Sequence, residues 1–169
     1  MADRLTAEQR HKNMAAIRAK DTKPEIMVRK YLWSQGFRYR LNESRLPGKP
    51  DIVLRRYKTC IFINGCFWHG HEGCRYYVMP KSNVEFWQAK ITRNRERDLR
   101  VVGELEAMGW TCITIWECDL KKDRREQTLR DLAERLKKGR GKDSYSMPDE
   151  DGQLMAAEGE ESSVYRRKE

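Results

Sequence analysis

Two cysteines and two histidines fall within nine residues of this 169-residue chain, in the run Asn64-Gly65-Cys66-Phe67-Trp68-His69-Gly70-His71-Glu72-Gly73-Cys74. Thiolate and imidazole are the donors Zn²⁺ prefers, in a tetrahedral set, so three local ligands need one distant partner to close a structural site. Cys118, in Trp116-Glu117-Cys118 at the end of a strand-like run, is the natural fourth. The pattern predicts a Cys₃His zinc site of Cys66, His71, Cys74 and Cys118, with His69 left unligated. Buried thiols and hydrogen-bonded histidines are the competing reading. Cys60 and Cys112 lie inside strand patterns and read as core residues.

A metal-fixed loop would hold His69 rigidly, and a partly exposed imidazole there suits a general base or acid. Such a histidine needs an orienting carboxylate, and Asp98, on a predicted facing helix, is one candidate. Asp51 follows Pro50 at the start of a predicted strand, where a carboxylate can hold Mg²⁺ against a scissile phosphate. A turn or cap role is the alternative. Phe67 and Trp68 are adjacent in a polar loop, and Trp87 lies near the start of a helix. Large apolar wedges flanked by cations can enter a base stack, at a cost of about a few kcal/mol per step that a mismatch lowers. Packing of the loop onto the body is the alternative for these three aromatics.

The elements that would position these groups alternate between helix and strand. Residues 7–20 read as a basic helix. Thr22-Lys23-Pro24-Glu25 is a second helix start, with Thr22 as cap, Pro24 in the first turn and Glu25 closing a capping box; Gly36 stops that helix. A strand is expected over 37–41, a turn-rich connection over 46–50, and a hairpin of 52–54 and 60–63 around the polar 55–58. Residues 65–80 read as irregular. A long helix follows over 84–108, with room for a break near Thr92, then a strand over 112–116 and a basic helix over 125–138. The class is α/β with a mixed central sheet.

The formal charge of +9 is unevenly spread: residues 141–169 carry four Lys/Arg against eight Asp/Glu, which leaves +13 on residues 1–140. A small domain that basic adheres to polyanions, nucleic acid above all. The division expected is a catalytic domain over 1–139 and an acidic tail over 140–169 too poor in large apolar residues to fold. No stretch approaches the ~18–20 apolar residues of a membrane span, and the N-terminus lacks an apolar signal segment. The cytoplasm is the expected location, where five cysteines serve as core residues and metal ligands and not as a disulfide framework.

Pro50-Asp51, the Gly-Cys-Phe-Trp-His run, Pro80-Lys81-Ser82-Asn83 with Phe86-Trp87, the Asn94–Asp98 segment and Trp116-Glu117-Cys118 together resemble the very short patch repair endonucleases, over roughly residues 8–135. The resemblance implies a restriction-endonuclease type of fold and a Mg²⁺-dependent nick 5′ of the thymine in T:G mispairs left by deamination of 5-methylcytosine. It implies that Asp51 binds Mg²⁺ with the main-chain carbonyl of Ile63, that His69 activates or relays for water, and that Asp98 orients it. Phe67, Trp68 and Trp87 would form the major-groove wedge, and Met14 on the first helix would reach the minor groove. Glu25 matches an acidic position near the family's active site. Double-stranded DNA is the partner implied, with mismatch-repair factors as further ones, and a monomer suffices for nicking.

Three departures accompany the resemblance. The acidic-x-Lys element of restriction-type nucleases is missing, since the strand after Asp51 reads Cys60-Ile61-Phe62-Ile63-Asn64; the repair family shares that absence. Asn64 stands where some members carry His, which puts an auxiliary role at 64 in question. His71-Glu72-Gly73-Cys74 has one residue more than a His-x-Cys spacing. A restriction-type enzyme cutting paired DNA and a non-catalytic zinc-stabilised DNA-binding module remain the alternatives.

Overall fold

The computed structural model describes residues 6–17 and 20–139; the acidic tail expected over 140–169 lies outside them. A four-stranded mixed sheet of order β1-β2-β3-β4 forms the centre: β1 (Arg40–Leu41), β2 (Ile52–Leu54), β3 (Thr59–Asn64) and β4 (Thr111–Trp116). The first three strands pair antiparallel; β3 and β4 run parallel from Thr59↔Thr111 to Asn64↔Trp116. A parallel pair needs a long crossover, and helix α3 (Val84–Ala107) supplies it.

Alternation along the strands divides the core into two. Ile52, Leu54, Ile61, Ile113 and Ile115 face α2 (Lys23–Ser34) and α4 (Arg125–Gly139), packing on Val28, Leu32, Leu129, Leu132 and Leu136. Val53, Cys60 and Cys112 point the other way, with Val101 and Leu105 of α3. The molecule is thus helix, sheet, helix, and each fully buried aliphatic side chain contributes roughly 1.5–3 kcal/mol. Cys60 is fully buried in this second layer and Cys112 packs against it half-buried, as core residues do.

Local chemistry accounts for the element ends. Thr22 Oγ1 accepts from the Glu25 N–H at 3.4 Å, which caps α2. The expected return bond of a capping box is not made: Glu25 Oε2 accepts from the Asp21 N–H and Oε1 from the Thr22 hydroxyl. Gly36, at φ +84°, ends α2, with the Phe37 N–H donating back to the Leu32 carbonyl at 3.0 Å. That reversal drops Phe37 into the core, so the strand expected over 37–41 shrinks to Arg40–Leu41. Helix α1 spans Ala7–Ala15 and not 7–20; Ala16 closes it, and every side chain described on it is exposed. The break considered near Thr92 does not occur. Thr92 is exposed, and a single threonine inside a 24-residue helix costs only about a few tenths of a kcal/mol, too little to break it.

Candidate active site and metal centre

The chemistry sits on the loop between β3 and α3, and α3 grips that loop residue by residue. Ile91, Asn94, Asp98, Val101 and Leu105 recur at helix-face spacing, and the two polar members stand over the loop. Asn94 Nδ2 donates to the Trp68 carbonyl at 2.9 Å. Asp98 Oδ2 meets His69 Nδ1 at 2.5 Å. Arg95 pairs with Glu72 at 2.6 Å. Gly70 lets the loop approach: at φ +61°, a Cβ there would meet Ile91 Cγ2 at 2.7 Å. Gly48 does the same for the turn before Asp51, where a Cβ would meet Val101 Cγ1 at 2.4 Å.

Cys66, His71, Cys74 and Cys118 come together as the sequence predicts, with their donor atoms all within 4.8 Å of one another. Thiolates around Zn²⁺ would stand about 3.8 Å apart, given tetrahedral Zn–S bonds of about 2.3 Å, so a small contraction closes the set. His71 stacks on Trp116, with centroids 4.0 Å apart and planes 3° from parallel, and presents Nδ1 to Cys118 Sγ at 3.4 Å. Burial pushes the Cys118 thiol up to about 12, while the Tyr76 backbone N–H draws the Cys74 thiol below its usual value. Such a donor set could hold a metal, and thiolate with imidazole is the chemistry of zinc.

Where β3 runs into the loop lies an acid edge. Asp51 Oδ2 accepts from the Ile63 N–H at 2.7 Å, across the open end of the β2–β3 pair. Burial raises the Asp51 carboxyl to about 6; the Ile63 bond opposes that, and the charges of Glu25, Arg29 and His69 act on it as well. Asp51, Glu25, His69 and, through His69, Asp98 therefore occupy one neighbourhood. The His69 and Asp98 side chains are 22% and 30% exposed, sheltered yet reachable.

Phe67, Trp68 and Trp87 form one edge-to-face cluster, with centroids 5.3 to 6.0 Å apart. All three are half-buried, and the exposed member of the group is Phe86, which packs on Trp87. Met14 stands exposed on α1, and Asn64 ends β3 opposite Trp116. No hydrogen bond, ion pair or ring contact joins either to the other site residues among those described.

Four contributors received no role in the sequence reading, although Phe86 and Asn94 stand in its motifs. Arg29 is buried and pairs with Glu25 and Asp21. Asn94 anchors the Trp68 carbonyl. Lys90 lies over Trp68, Phe86 and Trp87 at 5.3 to 5.8 Å. Phe86 lines a shallow groove with Lys90, Arg93, Arg97 and Arg100. The legible signal was the spacing itself: Asn94 and Asp98 interrupt an apolar stripe, and four cations share the adjoining face of α3.

Sheet, loop and helix define an α/β protein with a cysteine–histidine cluster that could hold a metal beside a histidine–carboxylate pair. The family model for the DNA mismatch endonuclease Vsr matches residues 2–75. The type II nicking enzyme V.NmeAIP of Neisseria meningitidis is 54% identical over 121 residues, 72% of this chain and 86% of that protein. The DNA mismatch endonuclease Vsr of Escherichia coli is 41% identical over 136 residues, 80% and 86% of the two chains. The type II nicking enzyme V.XorIIP of Xanthomonas oryzae is 47% identical over 120 residues, 71% and 88%. The likeness spans most of each relative, and the chain belongs to the Vsr family of DNA mismatch endonucleases. No helix among the described residues is long and apolar enough to cross a membrane.

Proposed function

We propose that this protein nicks duplex DNA at T:G mispairs, on the 5′ side of the thymine, in the mismatch left by deamination of 5-methylcytosine. The observation that carries the reading is the His69–Asp98 contact beside Asp51, on a loop whose neighbours are a metal-ready knot and a cluster of aromatic rings. With Nδ1 turned to Asp98, the imidazole keeps Nε2 for the substrate side. That is the nitrogen to take a proton from an attacking water, and Asp98 stabilises the imidazolium that forms.

Asp51 and the Ile63 carbonyl would hold Mg²⁺. A strand residue's N–H and C=O point to the same side, and the Ile63 N–H already faces Asp51. Two oxygens on one edge suit a hard cation. When bound, the ion supplies Lewis-acid stabilisation of the phosphate. Zinc at Cys66, His71, Cys74 and Cys118 would be structural, because four protein donors leave no open position. Glu25 is an auxiliary acid of the same edge.

Lys90, Arg93, Arg97 and Arg100 line one face of α3 and suit a phosphate backbone. Phe67, Trp68 and Trp87, with a cation above them, suit an opened base step, which a mispair offers at lower cost. Met14 lies on the exposed basic helix that would enter the other groove. The three-layer architecture agrees with a restriction-endonuclease type of fold, and one such domain is enough for a single nick.

The test is strand-resolved cleavage of two matched duplexes with Mg²⁺, one bearing a single T:G mispair and one fully paired, with His69→Ala as control. A nick beside the thymine, confined to the mispair and lost in the variant, is the expected result. Cutting of both duplexes would make this a restriction-type enzyme. Tight binding without any cutting would make it a zinc-stabilised DNA-binding module.

A further inference from the structure

Packing does not explain the ion pair buried on α2. Arg29 and Glu25 are each 4% exposed and lie one helical turn apart, with Nη2 and Oε2 3.0 Å from each other. Arg29 Nη1 reaches Asp21 Oδ1 at 2.6 Å. Its Nε has no hydrogen-bond partner, the one buried side-chain nitrogen or oxygen among the described residues in that state. Arginine cannot shed its proton, so its charge is tolerated there only because carboxylates surround it. Val28 and Leu32 are buried on the same helix, and an apolar side chain at 29 would pack beside them without desolvating an ion.

The neighbourhood gives the reason that packing does not. Glu25 and Arg29 flank Val28, which packs in one cluster with Ile52, the residue after Asp51, and their charges act on the Asp51 carboxyl in opposite directions. Two carboxylates sharing a sheltered edge repel each other, and a fixed guanidinium behind one of them offsets that repulsion. Arg29 can do so with its geometry set in advance, since its fork is planar and both outer nitrogens are engaged.

We propose that Arg29 is a positioning residue of the nicking centre: through Nη2 it fixes the Glu25 carboxylate beside Asp51 and keeps the two acids together before metal and DNA arrive. The inference rests on reading the Asp51 edge as the site of nicking. Arg29 itself touches neither DNA nor water in the reaction. Its contribution is preorganisation of groups that do.

The test compares the full-length wild type with Arg29→Met, Arg29→Lys, Asp21→Asn, Glu25→Gln and the double variant Arg29→Met with Glu25→Gln. Three readouts are taken: single-turnover nicking of the mispaired duplex, affinity for that duplex, and melting temperature without added Mg²⁺. Arg29→Met should lose about 100-fold in rate with affinity changed less than about threefold, as misplacement of reacting groups predicts. Arg29→Lys, which keeps the charge but not the fork, should recover part of the rate. Adding Glu25→Gln to Arg29→Met should cost no further rate and should raise the melting temperature, because the stranded carboxylate is gone.

An Arg29→Met protein as fast as wild type would overturn the proposal. So would a rate loss that merely follows melting temperature, or one that multiplies with that of Glu25→Gln. Should Arg29→Met fail to fold, Arg29→Lys and Asp21→Asn decide the matter, the latter loosening Arg29 from its outer anchor for a loss of about fivefold. A wild type that nicks neither duplex would remove the reading of the site and the role of Arg29 with it. A nicking wild type with unimpaired Arg29 variants would remove the role alone.

Discussion

The cysteine–histidine knot and the acid edge meet at the loop after β3, which carries Cys66, His71 and Cys74 of the one and His69 of the other, yet they satisfy their polar groups in different ways. Cys66, His71, Cys74 and Cys118 converge on one another, and His71 is held flat against Trp116. Asp51 and His69 instead take single partners from elsewhere, the Ile63 N–H and the Asp98 carboxylate, and among the described residues no hydrogen bond engages Asp51 Oδ1 or His69 Nε2. A closed donor set is what a fold uses to hold itself together, and an open one is what it presents to a substrate. His69 and His71 make the contrast sharpest, two residues apart on one turn with opposite surroundings.

The largest expected effect falls on the closed half. Removing the metal with a chelator, or replacing Cys118 by Ser, should abolish the cooperative melting transition and all nicking together. Structural zinc is worth about 10–16 kcal/mol in small zinc-dependent folds, as much as a whole domain's ordinary stability. Calorimetry with metal analysis would read this, and an unchanged melting curve after chelation would sink the structural assignment. The open half predicts the reverse pattern. His69→Ala should lower the nicking rate by about 10²–10⁴-fold while leaving melting and metal content as they were. If it melts early or loses metal, the two halves are one unit and the contrast fails.

Asp98→Asn should lower the rate by no more than about 10⁴-fold, as putting a general-base histidine in the wrong tautomer does. The amide can offer Nδ1 an N–H where the carboxylate offered an acceptor, which favours the tautomer with its proton on Nε2. Nitrogen NMR of the His69 ring would report that switch directly. A slow variant with an unswitched tautomer would mean that Asp98 acts by charge alone.

The closed half was the more legible in sequence, for a physical reason. Metal ligands are few residue types at short spacing, so Cys66, His71 and Cys74 announce themselves and Cys118 is the one distant partner needed. The alternation of Ile52, Leu54, Ile61, Ile113 and Ile115 made the sheet equally plain. Arg29 was not legible, because arginine on a basic helix reads as solvated surface until burial is known. The strand expected over 37–41 failed because Gly36 reverses the chain and commits Phe37 to the core, where it packs on Tyr57. Glu25 read as a cap because Thr22 and Pro24 precede it, and half of that reading holds; its side chain went instead to Asp21, Thr22 and Arg29.

Asp51 gives the smallest expected change and the one most specific to an open site. Its carboxyl is raised from 3.8 to about 6, chiefly by burial. Between those values the folded chain binds a proton that the unfolded chain has released, so folding loses stability as pH rises through that window. The loss amounts to about 3 kcal/mol at most and is complete above pH 6 or so, at 1.36 kcal/mol per pKa unit. Asp51→Asn removes the charge but keeps an oxygen for the Ile63 N–H. Without added Mg²⁺ it should therefore melt above the wild type at pH 7 and together with it near pH 4. Nicking by the wild type should follow the opposite course, fading as pH falls through about 6, because a protonated carboxyl is a poor ligand for a hard cation. A fold that kept Asp51 only as a turn or cap residue would show the stability trend, which burial alone produces, without the fading of nicking as pH falls. The predicted crossing of stability against activity is the mark of a group held in readiness for a cation.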